Sequence, residues 1–436
     1  MPVSQSSPAN ASAGASAQER ALLERRARLL GPTYRAFYRN PIHLVRGSGV
    51  WLYDAQGRKF LDAYNNVASI GHCHPRVVEA LSGQAATLNT HTRYLSEIIL
   101  DYAEKLLGML PAHLGHAMFT CTGSEANDLA IRIAQHSSGG TGVIITDFAY
   151  HGATIATAQL SPAAVGAKGV PAQHRTVAAP DTFRDHGRAA RDFAKNVAAA
   201  IEDMRAQDIR PAALLLDSAF SSDGIFFPDA AVMREAADHV RRAGGIVIAD
   251  EVQSGFGRLG QGMWGFANYG IEPDIVTMGK PIGDGHPMGA VIVRPRLVAS
   301  FGSNTGYFNT FGGNPVAAAV GIAVLDVIEG EGLIENARNV GAYTGELLRA
   351  LRSRHGMVAD VRHNGLYFGV ELTAEGNEPL AATKTAAVVE AMREDGVLIS
   401  SCGPRGNVLK IRPPLPFARH NAEQLTETLD RALSQW

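Results

Sequence analysis

Short runs of residues that are apolar throughout, separated by longer helical segments, predict an α/β chain. Such runs mark a mostly parallel central sheet flanked by helices on both faces, and the pattern after it predicts a smaller α+β domain. The runs are Ala117-Met118-Phe119, Val143-Ile144-Ile145, Leu214-Leu215-Leu216, Ile246-Val247-Ile248-Ala249, Ile275-Val276-Thr277-Met278 and Ala290-Val291-Ile292-Val293. At 436 residues the chain exceeds one ordinary core, and 46% hydrophobic against 19% charged residues suits a large buried interior.

Taken in order, residues 1–18 are mostly Ala, Ser, Pro, Gln and Asn and predict a disordered tail. They carry no basic residue and no apolar segment, unlike a secretory signal or an Arg-rich transit peptide. A charged helical stretch follows from Glu19 to Leu30. Val50-Trp51-Leu52-Tyr53, a turn through Gly57 and Lys59-Phe60-Leu61-Asp62 read as a β-hairpin. Residues 19–75 are expected to contribute to the small domain, 76–325 to form the large one and 326–436 the rest of the small one. That last part reads as helix (Ile334 to Arg354), strand (Leu366 to Leu372), helix (Ala382 to Asp395) and strand (Val408 to Ile411).

A net charge of −2 gives no global attraction to nucleic acid or an anionic membrane. No apolar run approaches the roughly 20 residues of a membrane span. Cys73, Cys121 and Cys402 are scattered, which signals neither a disulfide framework nor a zinc cluster and fits the cytoplasm. His72-Cys73-His74 has no companion ligands at metal spacing and reads as a structural loop.

In open α/β sheets ligands collect beyond the carboxyl ends of the strands, and there the unusual residues stand. Thr122-Gly123-Ser124-Glu125 opens a helix whose Ala126, Leu129, Ala130, Ile133 and Ala134 form one apolar stripe. Gly123 and Ser124 therefore sit at a helix N-terminus, which suits a phosphate as well as a plain N-cap. The run 246–249 ends in Asp250, an acid that either caps a turn or pairs with a protonated pyridine nitrogen. Lys280 follows the next run, and a desolvated lysine there is a nucleophilic amine. Acid, lysine and phosphate-ready helix on one rim are the parts a pyridoxal 5′-phosphate site requires.

The chain resembles the class III (ω-) aminotransferases, which are fold type I pyridoxal-phosphate enzymes, from about Ile42 to the C-terminus. The most specific element is Asp250-Glu251-Val252-Gln253-Ser254-Gly255-Phe256-Gly257-Arg258, followed by Pro273-Asp274 and Gly279-Lys280. The resemblance implies that Lys280 holds the cofactor as a Schiff base and that Gly123 and Ser124 bind its phosphate. It implies Tyr150 on one ring face, Val252 on the other, Asp250 at the pyridine nitrogen and Gln253 at the phenolic oxygen. Thr310, in Phe308-Asn309-Thr310-Phe311-Gly312-Gly313-Asn314-Pro315, is expected to reach the neighbouring subunit's cofactor phosphate, implying a homodimer with shared active sites. Arg258 reads as structural.

Within that family the chain is similar to the ethanolamine-phosphate phospho-lyases. The stretches are Asn65-Asn66-Val67-Ala68, Leu88-Asn89-Thr90-His91-Thr92-Arg93, Gly285-His286-Pro287 and Asn407-Val408-Leu409-Lys410-Ile411 before Pro413-Pro414. Many class III members carry arginine at the position of Lys410, a fork for a substrate carboxylate that lysine does not supply. Asp217 stands where the family usually has glutamate, which puts its reach to the cofactor or Gln253 in doubt. The expected reaction is elimination of phosphate from phosphoethanolamine or a related phosphorylated amine, with Asn66, Arg93 and Lys410 as substrate-phosphate candidates. The alternatives are an aminotransferase moving an amino group from alanine or another amine to a keto acid, and a non-catalytic pyridoxal-binding regulator.

Overall fold

The computed structural model describes residues 16–34, 36–374 and 378–436. Residues 1–15 of the expected tail lie outside them. Its last two residues belong instead to a helix, Ala17–Leu30, because Ser16 and Glu19 form a reciprocal cap at its start.

Three sheets organise the chain. The first contains β1 (Leu44–Ser48), β2 (Trp51–Asp54) and β3 (Lys59–Asp62), with β2 and β3 forming the expected hairpin. The central sheet contains β4 (His116–Thr120), β5 (Gly142–Thr146), β6 (Arg175–Val177), β7 (Pro211–Asp217), β8 (Ile246–Asp250), β9 (Ile275–Met278) and β10 (Gly289–Val293). Its order is β4-β10-β9-β8-β7-β5-β6, and only β10 runs against its neighbours. Five of the six apolar runs fall wholly within central strands, and the sixth, Ala117-Met118-Phe119, lies inside β4 at the edge. β6 carried no signal because it is three residues long, at the other edge, and only Val177 is buried.

Alternation within the strands explains the two helical layers. Val143, Ile145, Ala213, Leu215, Ile246 and Ile248 face the helices Gly123–Ser138 and Pro295–Asn304. Ile144, Leu214, Leu216 and Val247 point the other way, onto Arg188–Ala206 and Ala230–Arg242. The strands are apolar throughout because both faces are covered.

The third sheet is antiparallel: β11 (Val358–Asn364), β12 (Tyr367–Leu372), β14 (Ser400–Cys402) and β15 (Val408–Ile411), in the order β11-β12-β15-β14. Between them in sequence, β13 (Val397–Leu398) leaves to pair in parallel with β3. N-terminal and C-terminal segments thus share a sheet. Residue 325 falls inside the helix Pro315–Gly330, which packs on Pro75–Thr87 and Glu97–Gly108.

That packing is close. A Cβ on Gly321 would stand 2.4 Å from the ring of Tyr102, which is itself buried. Gly321→Val should therefore destabilise the fold by about 1–3 kcal/mol or more through overpacking, read as a lowered midpoint in chemical denaturation. An unchanged midpoint would contradict this view of the contact.

Candidate active site

Strand register lines up the carboxyl ends of three central strands. Asp217 of β7 pairs with Asp250 of β8, and Asp250 with Thr277 of β9. A cavity of about 300 Å³ opens on this rim, at the small end for a ligand site. Gly123, Ser124, Tyr150, Asp250, Val252, Gln253 and Lys280 all line it.

The floor is set by close backbone approach. A Cβ on Gly123 would meet Val252 Cγ2 at 2.8 Å, and one on Gly279 would meet Gly123 Cα at 2.9 Å. Two glycines thereby bring the helix N-terminus against the strand that precedes Lys280. Thr122 caps that helix by accepting from the Glu125 amide at 3.1 Å. The Thr122 cap leaves other first-turn N–H groups free for an anion. Ser124 Oγ accepts from the Ala153 amide at 3.1 Å, which ties the cradle to the loop carrying Tyr150. Tyr150 is exposed at the cavity mouth.

Asp250 is buried and held from three sides. His151 Nδ1 lies 2.7 Å and Asn127 Nδ2 2.8 Å from its Oδ2, while the Val252 amide donates to Oδ1 at 3.1 Å. The Thr277 hydroxyl donates to Asn127 Oδ1 at 2.6 Å and so fixes which end of that amide faces the acid. Asp250 lines the cavity, where a carboxylate favours a cation.

Lys280 opens a short 3-10 turn, Lys280–Gly283. Burial lowers its pKa, and Arg412 lowers it further, against the opposing pull of Asp250 and Asp217. More of the amine is therefore neutral and nucleophilic near pH 7 than for a surface lysine. Acid, amine and anion cradle fit pyridoxal phosphate on the donor chemistry and on the space that the glycines keep open.

Asn66, Arg93, Thr310 and Lys410 do not line this cavity. Asn66 is buried and donates from Nδ2 to the Gln253 carbonyl at 3.1 Å; its neighbour Val67 lines the cavity. Arg93 is exposed, with its guanidinium 4.0 Å from the ring centre of Phe308. Thr310 is exposed as well. Lys410 is buried behind Gln253, donating to the Ser221 carbonyl at 2.9 Å and to Gln253 Oε1 at 3.3 Å. Asp217 lines the cavity, but its two oxygens accept from the amides of Ala219 and Ser221, both at 2.9 Å.

Sequence alone connected neither Asn127 nor His151 to Asp250. Both brace Asp250. The signal was present for Asn127, since a polar residue on the buried stripe of a helix needs a partner. His286 also lines the cavity, where burial lowers its pKa and leaves it mostly neutral at pH 7. His72 pairs with Asp62 at 2.7 Å and His74 with Glu331 at 3.1 Å, so the two point to separate partners. Among the described residues no cluster of His, Cys, Asp and Glu is arranged to hold a metal. Arg258 is fully buried and donates to the carbonyls of Leu366 and Pro413.

The class III aminotransferase family model matches residues 34–433, and the chain belongs to that family. Its cofactor is pyridoxal 5′-phosphate, and its fold is that of the fold type I enzymes that use it. The chain is 36% identical to ethanolamine-phosphate phospho-lyase homolog 1 of Caenorhabditis elegans over 98% of its own length and 96% of the relative's. It is 38% identical to an alanine–glyoxylate aminotransferase 2-like protein of Drosophila melanogaster, covering 91% and 83% of the two chains. Among solved structures, a phospholyase from Arthrobacter in complex with phosphoethanolamine is 42% identical. It superposes with a TM-score of 0.91 over 95% of this chain and 100% of that one.

The loop after Lys280 carries a titration that can be tested. Asp284 has φ 44°, and its Oδ1 accepts from the Ile70 amide at 3.0 Å, while Oδ2 is buried without a partner. Burial pushes its carboxyl up to about 8. The folded state therefore holds a proton that the unfolded state has already lost. That contribution to stability is present below about pH 4 and falls as pH rises towards 8. Asp284→Asn keeps the acceptor and tolerates the left-handed backbone. Its thermal midpoint should exceed that of the parent at pH 8 and match it more closely at pH 5. A difference that does not grow with pH would contradict the assignment.

Proposed function

We propose that this enzyme is a phospho-lyase that eliminates phosphate from phosphoethanolamine, giving acetaldehyde, ammonia and phosphate. The observation that carries the reading is Lys410: where many class III members have an arginine fork, a lysine stands with its ammonium taken by Ser221 and Gln253. A substrate without a carboxylate has no use for that fork. The likeness over nearly the full length to a phospholyase bound to phosphoethanolamine supports the same choice.

Pyridoxal phosphate supplies an electrophilic aldehyde and an electron-withdrawing ring when bound. Lys280 would hold it covalently and, when free, would take a proton from the substrate carbon that bears nitrogen. Asp250, oriented by His151 and Asn127, keeps the ring nitrogen protonated. Gly123, Ser124 and the helix N-terminus hold the cofactor phosphate, with Tyr150 and Val252 on the two ring faces. Cleavage of the β C–O bond releases phosphate, and the enamine product hydrolyses to acetaldehyde and ammonia. The amino group leaves with the product, so no keto acid is required.

The exposed surface supports a homodimer. Thr310 stands outside its own cavity, and Tyr94, Leu95, Leu100, Phe308 and Phe311 are exposed, a set of apolar side chains that suits an interface. Thr310 then completes the cofactor-phosphate site of the partner. Arg93 and Asn66 are the candidates for the substrate phosphate. The three unpaired cysteines suit a reducing compartment such as the cytoplasm. Among the described residues no helix is long and apolar enough to cross a membrane.

With phosphoethanolamine as sole substrate, phosphate and acetaldehyde should appear together for many turnovers. A transaminase would stop after one, its cofactor left as the amine. Interconversion of alanine and pyruvate well above the rate of phosphate release would overturn the reading. Thr310→Ala should weaken cofactor affinity severalfold while leaving the subunit folded. A fully active monomer in sedimentation would contradict the shared site.

A further inference from the structure

Behind the cavity wall lies a group of buried polar side chains to which neither cofactor binding nor elimination gives a role. The amide oxygen of Gln253 accepts from three donors: the Tyr367 hydroxyl at 3.3 Å, Lys410 Nζ at 3.3 Å and Arg412 Nη1. Tyr367, Lys410 and Arg412 are 0%, 7% and 5% exposed, and none of them lines the cavity, whereas Gln253 does. Each cation is anchored elsewhere too, Lys410 on the Ser221 carbonyl at 2.9 Å and Arg412 Nε on the Tyr64 carbonyl at 3.0 Å.

A primary amide has one accepting oxygen and one donating nitrogen on separate branches. Three donors commit the oxygen to the interior, and only the NH₂ group remains to face the cavity. Two cations on the oxygen also polarise the amide and strengthen its N–H groups as donors. Reversing the amide would set its NH₂ against two cations and a hydroxyl.

We propose that Lys410 is a positioning residue: with Arg412 and Tyr367 it fixes Gln253 as a donor to an oxyanion of the bound cofactor, and it is not a ligand of the substrate. Burial and the neighbouring Arg412 pull the Lys410 ammonium down to about 7. Even the neutral amine keeps two N–H groups, one for each of its two acceptors, so the brace survives either charge state. The inference is independent of which reaction follows, because lyase and transaminase begin from the same resting cofactor.

The test reads the resting holoenzyme without substrate, as the pH midpoint of its visible cofactor band. A donor to the phenolic oxygen draws off charge that would otherwise hold the imine proton, so losing the donor moves the midpoint upward. Lys410→Met and Gln253→Leu should each raise it by about one pH unit, roughly tenfold in proton affinity. The double variant should move little beyond the larger single shift, since both act through the same amide. If Lys410→Met fails to fold, Tyr367→Phe removes one donor with little change of shape and should raise the midpoint by a smaller amount.

An unmoved midpoint in Lys410→Met would overturn the proposal, as would an unmoved midpoint in Tyr367→Phe where that variant carries the test. An equal shift with and without Gln253 would also overturn it, by reducing Lys410 to a bare charge. So would an unmoved midpoint combined with tenfold weaker phosphoethanolamine binding, which would make Lys410 a substrate ligand.

Discussion

Asp250 is a carboxylate held almost out of water, and the position of its charge governs the rest of the site. An isolated buried carboxylate is costly, and it persists only where donors replace its hydration. Here the donors come from three elements: Asn127 on the helix after β4, His151 on the loop after β5, and the Val252 amide immediately after β8 itself. Holding one oxygen pair therefore fixes the mutual positions of a helix, a loop and a strand end. The same helix presents Gly123 and Ser124, and the same loop presents Tyr150. A displacement of the acid is a displacement of the anion cradle and of the aromatic lid together.

The acid lines the cavity, with Lys280 close enough to feel its charge. The lysine is subject to opposing effects. Burial and Arg412 favour its neutral amine, while Asp250 and Asp217 favour the ammonium. An amine that gains and loses a proton readily can act as nucleophile and then as base, and this balance gives it both abilities.

The sequence made the central sheet legible because strands covered on both faces are apolar without interruption, and no other element produces six such runs between helices. It made most of the cavity-lining residues legible because they cluster at strand ends and helix starts, where backbone geometry narrows the options. What stayed hidden was pairing across distance. Nothing local to Asn127, His151 or Asp250 says that they meet, because they lie on three separate strand-to-helix connections. Lys410 was read as a candidate for the substrate phosphate because a charge-assisted contact suits a phosphate. Its side chain instead ends behind Gln253, on the Ser221 carbonyl and Gln253 Oε1. β6 was silent for a different reason, being an edge strand too short to carry a period.

Arg258, Lys410 and Arg412 place three cationic side chains in the seam between the central rim and the third sheet, each under a tenth exposed. Side by side they repel one another: Arg412 contributes to lowering both Arg258, to about 9, and Lys410, to about 7. Carbonyl oxygens of Ser221, Tyr64, Leu366 and Pro413 offset part of that cost, but a carbonyl dipole is a weaker partner than a carboxylate. A seam built for stability alone would be filled with apolar side chains or neutralised by acids. Two of the cations, Lys410 and Arg412, meet on Gln253 at the cavity wall, and Arg412 lowers Lys280 as well. The cavity thus has an acid in one wall, at Asp250, and cationic side chains behind another, at Gln253.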